Sequence, residues 1–314
     1  MTSCLLAKAN DRLVAVADGR LSVSDTTLSF DTVAKIVRFT PMYRIPQVQH
    51  RYFVGYTDRT SRDWFVAYSG AYALAREIII TFVTNVSGGL FLSRDSDDPP
   101  DADVPFTPHV PPRLQDHFDE SGSFDEGYNF SADEQPNITP DDLSLRLRKI
   151  AQTKCDEFAR NRGLFPDCQF LLFGKSEVDD HYVAFKIYPV ETTWNGVWAR
   201  VTRDELRNGE LTTIGSAKVA GEAHADEALN IGLLGWSTDR SKAAFNAAFE
   251  DFDFDAPTLS PGPTASSHQA DNWTVDEVRA RFIELVRTTD DLSVGGDIAT
   301  ASGYAFGEIK LGSA

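Results

Sequence analysis

An α+β fold is what this sequence predicts, and three observations carry the expectation. Short runs of aromatic and β-branched residues recur along the chain, as in Tyr52-Phe53-Val54-Gly55-Tyr56 and Trp64-Phe65-Val66-Ala67-Tyr68. Between them lie segments such as Tyr72 to Val83, in which Ala75, Ile78, Ile79 and Phe82 fall at helical spacing. Turn residues separate the two kinds of segment. At 314 residues and 42% hydrophobic, the chain can bury a substantial core, and it reads as a single domain, 1–314, carrying one large insertion.

The first elements form a hairpin. Leu5-Leu6-Ala7 and Leu13-Val14-Ala15-Val16-Ala17 are apolar runs separated by a charged turn from Lys8 to Arg12, so Asp18 arrives close to where the first strand began. Lys35 follows a polar connection and opens the run Ile36-Val37-Arg38-Phe39. The runs at 52–56 and 64–68 lead through Ser69-Gly70-Ala71 into the helix from Tyr72. A glycine at this junction permits close backbone approach, and an amide at a helix N-terminus points outward. Gly70 therefore serves either helix-on-sheet packing or an oxyanion.

From Ser87 to Pro140 the composition changes. Between Asp95 and Asp142 there are fourteen acidic residues and one basic residue, Arg113, and prolines recur, which breaks any long helix or central strand. This acidic, Pro-rich insertion, 93–141, is expected either to dock by its aromatics, among them Phe106 and Phe118, or to form an acidic loop. Thr139-Pro140-Asp141-Asp142 starts a helix that Gly163 stops. Three strand-like runs follow, Cys168 to Phe173, Tyr182 to Tyr188 and Val197 to Val201. Leu211 to Ala217 reads as a strand leading into helical segments at Val219 to Leu229 and Lys242 to Phe249. Residues 251–272 form a second loop insertion. Trp273 opens an amphipathic helix through Leu285, with Thr274 as N-cap and Glu277 as its capping-box partner. The closing run is Asp291 to Ile298.

Chemistry concentrates at the start of the chain. A small hydroxyl residue after the initiator Met permits Met removal, which would leave Thr2 with a free α-amine. That amine, with a pKa near ~8, can take the proton of the residue's own alcohol without a histidine. A lysine ammonium beside the hydroxyl favours the alkoxide, and a carboxylate beside the lysine keeps it charged and aimed. Thr2, Asp18 and Lys35 supply these three types.

At these residues the chain resembles the proteasome β-type family of N-terminal nucleophile hydrolases, which includes the bacterial heat-shock-locus peptidase and the ancestral β-subunit group. Thr2 matches the nucleophile, Asp18-Gly19-Arg20 the aspartate-containing turn, and Lys35-Ile36 the lysine motif. The resemblance implies a four-layer αββα sandwich, amide-bond hydrolysis, and assembly of copies into a ring or spiral. It implies further that Gly70 supplies the oxyanion amide, that Ser216 hydrogen-bonds near the nucleophile's amine, and that Asp291 orients this network. Ala217 stands where the family has a glycine, and Val294 where it has a serine; Ser293 lies one place away. The substrate implied is a peptide or a small amide, and an unfoldase partner is left open. The competing reading is a non-catalytic subunit of the same fold, a scaffold or binding module.

Composition excludes other classes. A net charge of −17 argues against nucleic acid and against an anionic membrane surface. Cys4, Cys155 and Cys168 are too few and too irregular for a disulfide framework or a zinc knuckle, so a reducing cytoplasm is expected. No apolar run reaches the ~18 residues of a span, and the N-terminus lacks a signal-peptide pattern. The six histidines are dispersed, and no Gly-rich phosphate loop occurs, so neither metal nor cofactor is expected.

Overall fold

The computed structural model describes residues 3–22, 29–30, 32–49, 52–88, 90–93, 107–109, 138–192, 198–237, 273–291, 294–305 and 307–314. Thr2, Ser293, most of the acidic insertion, the predicted helix Lys242–Phe249 and the loop 251–272 lie outside the described residues. In chain order the strands are β1 (Ser3–Lys8), β2 (Arg12–Asp18), β3 (Leu21–Ser22), β4 (Ser29–Phe30), β5 (Ile36–Phe39), β6 (Met42–Gln49), β7 (Tyr52–Thr60) and β8 (Trp64–Gly70). They continue with β9 (Leu90–Ser93), β10 (Thr107–His109), β11 (Cys168–Lys175), β12 (Tyr182–Thr192), β13 (Trp198–Glu205), β14 (Glu210–Gly215), β15 (Ile298–Tyr304) and β16 (Lys310–Ser313). The helices are α1 (Tyr72–Val86), α2 (Pro140–Arg162), α3 (Ala217–Ala225), α4 (Glu227–Leu234) and α5 (Val275–Thr288). The result is a mixed fold of helices and largely antiparallel sheets.

The chain divides into two compact units, one made of the residues up to Val33 with Leu206–Ala314, the other of Ala34–Glu205. The first unit holds a five-stranded sheet in the order β14-β1-β2-β15-β16. Its strands are antiparallel throughout, with Cys4 opposite Ala17, Ser3 opposite Gly215 and Ile298 opposite Asp18. Alternation along β1 and β2 sends Leu5, Ala7, Val14 and Val16 to one face, where they meet Val219, Leu229, Phe282 and Val286 of the helices. Cys4, Leu6, Ala15 and Ala17, on the other face, are equally buried.

The second unit repeats this design with a sheet ordered β13-β12-β11-β8-β5. Trp64, Val66, Phe170, Leu172, Phe185 and Ile187 meet Ile78, Phe82, Leu147 and Ala151 of α1 and α2. On the opposite face Phe65 stacks on Phe173 across the β8–β11 pair, with ring centroids 5.6 Å apart. A separate sheet, β10-β9-β6-β7, includes the parallel pair β6–β9.

Local chemistry sets the helix ends. Thr139 and Asp142 form a reciprocal capping box, and Gly163 closes α2 in the left-handed region with φ 63°. Thr274 and Glu277 do the same for α5. Two sequence expectations need correction. The single helix expected from Val219 to Leu229 is broken at Asp226, whose side chain accepts the Leu229 amide (3.0 Å) and starts α4. An aspartate competes for nearby amides and so favours a cap over a helix interior. The closing run, Asp291 to Ile298, resembles the family's penultimate-strand motif, yet it is a strand only from Ile298 onward. The described residues before it form a turn, because Gly295 (φ 135°) and Gly296 (φ 75°) take backbone conformations no strand uses.

Candidate functional site

Antiparallel pairing decides what meets what in the first unit. The start of β1, the end of β2, the end of β14 and the start of β15 all lie at one edge of the sheet. Asp18, Ser216, Asp291 and the glycine pair are therefore delivered to the same edge although 273 residues separate the first from the third. Asp18 has no exposed surface, and its carboxylate is shared between two backbone donors. The Ser3 amide donates to Oδ1 at 2.7 Å and the Gly295 amide to Oδ2 at 3.1 Å. Charge-assisted bonds of this kind are short and strong, and a buried carboxylate requires them.

Ser216 caps α3, accepting the Val219 amide at 3.3 Å, while its hydroxyl donates to Asp291 Oδ2 at 2.5 Å. One serine thus fixes both the helix start and the carboxylate. The position after it, Ala217, is helical, so the glycine that the resemblance expects there is not needed for the turn; Gly215, with φ 96°, provides it. Val294 is a core residue, packed among the apolar side chains of the helix-covered face, and its amide donates to the Asp291 carbonyl at 3.0 Å. A cavity of about 390 Å³ opens beside this turn, lined by Arg20, Arg287, Thr289, Asp291 and Gly295 among others.

Cys4, near the same edge, is no nucleophile. Burial, and then the Asp18 carboxylate, push its thiol well above the usual range, which keeps it protonated.

Lys35 and Gly70 belong to the second unit. Lys35 is 2% exposed, and its ammonium lies 5.4 Å from the Tyr68 ring centroid and 5.6 Å from that of Tyr72, the range of a cation–π contact. The Lys35 carbonyl accepts the Tyr68 amide at 3.3 Å, and the Tyr68 hydroxyl donates to the Ala34 carbonyl at 3.1 Å. Burial, followed by the neighbouring Tyr72, raises the Tyr68 phenol to about 12, so it stays neutral beside the lysine. These two rings were not legible as neighbours of Lys35; the signal the sequence held was their i, i+4 spacing across the strand-to-helix junction.

Gly70 ends β8 with φ 92°, and a Cβ there would come within 2.1 Å of the Asp167 carbonyl oxygen. That same oxygen accepts the Ala71 amide at 2.6 Å. Close packing against the start of β11 thus accounts for a glycine at this position. Gly70→Ala is expected to destabilise the protein by on the order of 3 kcal/mol, combining left-handed strain with a backbone clash, and a urea titration of the variant reads this directly.

Elsewhere in the first unit, a cavity of about 710 Å³ lies at the opposite sheet edge, where Arg12 is near both the Trp236 and Tyr304 rings. Among the described residues, no group of three or more His, Cys, Asp or Glu side chains is placed to hold a metal ion. No described helix is long and apolar enough to cross a membrane.

No family model matches the chain, and no curated protein matches it. Solved structures do. The ancestral beta-subunit Anbu from Yersinia bercovieri is 12% identical with a TM-score of 0.48, the match covering 98% of this chain and 86% of that one. A Gly-1 mutant of Anbu from Hyphomicrobium sp. strain MC1 is 11% identical at a TM-score of 0.47, covering 100% and 87%. The helical assembly of the Anbu complex from Pseudomonas aeruginosa is 11% identical at 0.46, covering 99% and 86%. These findings overturn the expected assignment to the proteasome β-type, heat-shock-locus-peptidase-like hydrolases: the structures it is similar to are Anbu proteins, and no family model supports that assignment. The physical reason is visible at the site. The motifs that carried the resemblance are short, and two of their positions, Ala217 and Val294, serve a helix and the core instead.

Proposed function

We propose that the chain is a threonine amidohydrolase, with Thr2 as nucleophile after Met1 removal and a peptide or small amide as substrate. The observation that carries the reading is the buried Asp18 carboxylate, bonded to the amide of Ser3, the residue that follows Thr2. A buried carboxylate holds the N–H of the peptide unit that joins the two residues. It does so at the edge where Ser216 and Asp291 form their own short pair.

In this proposal the Thr2 hydroxyl attacks an amide carbonyl, and its α-amine takes the hydroxyl proton with Ser216 and Asp291 arranging a water beside it. Lys35 supplies the ammonium that favours the alkoxide, and the Gly70 amide stabilises the oxyanion. The leaving amine is protonated by the same α-amine, and water then releases the acyl ester. Lys35 and Gly70 belong to the same proposal, in a single domain with the four-layer αββα sandwich that the resemblance implies. Each of the two five-stranded sheets carries helices of its own unit on one face, as one half of such a sandwich does.

Self-association, in a ring or spiral, belongs to the same proposal. Exposed apolar side chains on the helices support it: Ile80 (54%), Leu145 (43%), Ile231 (51%) and Leu234 (59%). Light scattering on the purified chain tests it, and a monomer at micromolar concentration removes it. The three free thiols, with Cys155 and Cys168 unbonded at 3.7 Å between sulfurs, support a reducing, cytoplasmic setting.

Intact-mass analysis tests the catalytic reading. The mature chain is expected to start at Thr2 and to gain the mass of one threonine-directed electrophile, mapped to that residue; active protein that retains Met1 excludes the mechanism. One observation favours the competing scaffold reading, the use of Val294 as core where a hydroxyl would extend the Ser216–Asp291 network. A processed chain that takes no label and turns over no substrate would decide for the scaffold.

A further inference from the structure

We propose that Arg20 is a positioning residue that clasps the turn carrying Asp291 onto the end of β2. The proposal deepens the catalytic reading above and rests on it for its kinetic consequence, whereas its structural consequence stands by itself. Arg20 follows Asp18 by two residues. Its backbone amide donates to the Gly295 carbonyl at 2.9 Å, and its guanidinium Nη1 donates to the Val294 carbonyl at 3.1 Å. The plane of the guanidinium lies against Gly295, where a Cβ would come within 3.0 Å of Cζ and 3.1 Å of Nη2.

Gly295 is thereby held on two sides. Asp18 takes its amide, and Arg20 takes its carbonyl and the carbonyl before it. The turn is closed at its other end by the Val294 amide on the Asp291 carbonyl. Since Asp291 is the acceptor for Ser216, this clasp sets where the Ser216–Asp291 pair stands relative to the Asp18 carboxylate. Packing alone does not fix the turn, because it borders the cavity of about 390 Å³ that Arg20 itself lines. Without the guanidinium the turn has room to move into that space.

A second consequence concerns Gly295. Its φ of 135° favours glycine by itself, and a Cβ would in addition press on the guanidinium, which would have to shift by a few tenths of an ångström.

The test uses the full-length chain with Arg20→Ala and Arg20→Lys. Amide exchange of the segment 289–298 is followed by mass spectrometry, and kcat and KM on a fluorogenic peptide are measured beside it. Arg20→Ala is expected to raise exchange and lower kcat by about ten-fold or more each with KM held within about two-fold. Arg20→Lys is expected to recover part of both, since an ammonium reaches one carbonyl but cannot lie flat on Gly295. Unchanged exchange in a folded Arg20→Ala protein overturns the clasp. Raised exchange with unchanged kcat in an active enzyme overturns the positioning role. If the wild type turns over no substrate, the threonine reading falls, and raised exchange still supports the clasp.

Discussion

Thr2→Ala is expected to lower turnover of a peptide substrate by at least about a thousand-fold, with the folded state unaltered. The alcohol and the base that activates it reside on one residue, and alanine removes the first while keeping the second. The described side chains next to it are poor substitutes. Ser3 is buried, and the Cys4 thiol is held protonated by its surroundings. The effect belongs in kcat, because the side chain is used at the reacting carbonyl and not for holding the substrate.

Thr2→Ser separates chemistry from folding. It restores a hydroxyl with the same α-amine and is expected to retain activity within about a hundred-fold of wild type. Asp18 holds the backbone amide of Ser3, so that bond does not depend on which side chain residue 2 carries. Kinetics on chains whose N-terminal residue has been read by mass spectrometry give the comparison. Equal rates for wild type and Thr2→Ala would end the enzymatic reading.

What the sequence made legible were features set by neighbours in the chain. The hairpin that returns Asp18 to the start of β1 follows from two apolar runs and a charged turn. The caps at Thr139 and Thr274 follow from residues three apart. The strand β6, in contrast, went unrecognised, because Pro46 and Gln47 interrupt its alternation at the register shift opposite β7. Asp226 was hidden inside a helical pattern because its choice of the Leu229 amide, and the bond it accepts from Arg281 on α5, depend on how α4 and α5 meet.

The candidate site divides in the same way. Residue types were readable; the partners that aim them were not. Arg20 stood in the motif only as the third letter of Asp18-Gly19-Arg20, and its two carbonyl partners lie some 274 residues later. Val294 read as a missing hydroxyl, yet its neighbours in space make it a core position. Gly70 could be read as an amide donor or as a packing glycine. The Asp167 carbonyl that decides its need for glycine comes from a turn almost a hundred residues away.

Asp18 is where stability and function are most tightly joined, and Asp18→Ala is the substitution expected to damage both. Removing the carboxylate takes the Asp18 acceptor from the Ser3 and Gly295 amides in a buried place, at about 1–3 kcal/mol each, so the loss is on the order of 2–6 kcal/mol. Asp18→Asn has the same shape but only one acceptor oxygen. Its amide nitrogen must face one of the two backbone donors, so about half of that loss should remain. Activity should not follow this order of stability. Asn also removes the negative charge, so in the proposed mechanism a folded Asp18→Asn protein still loses kcat by about a hundred-fold, because Lys35 is no longer braced as a cation. Urea titration and steady-state kinetics on both variants separate the two contributions. A folded Asn variant with wild-type kcat would show that the carboxylate serves the fold alone, and the role assigned to Lys35 would go with it.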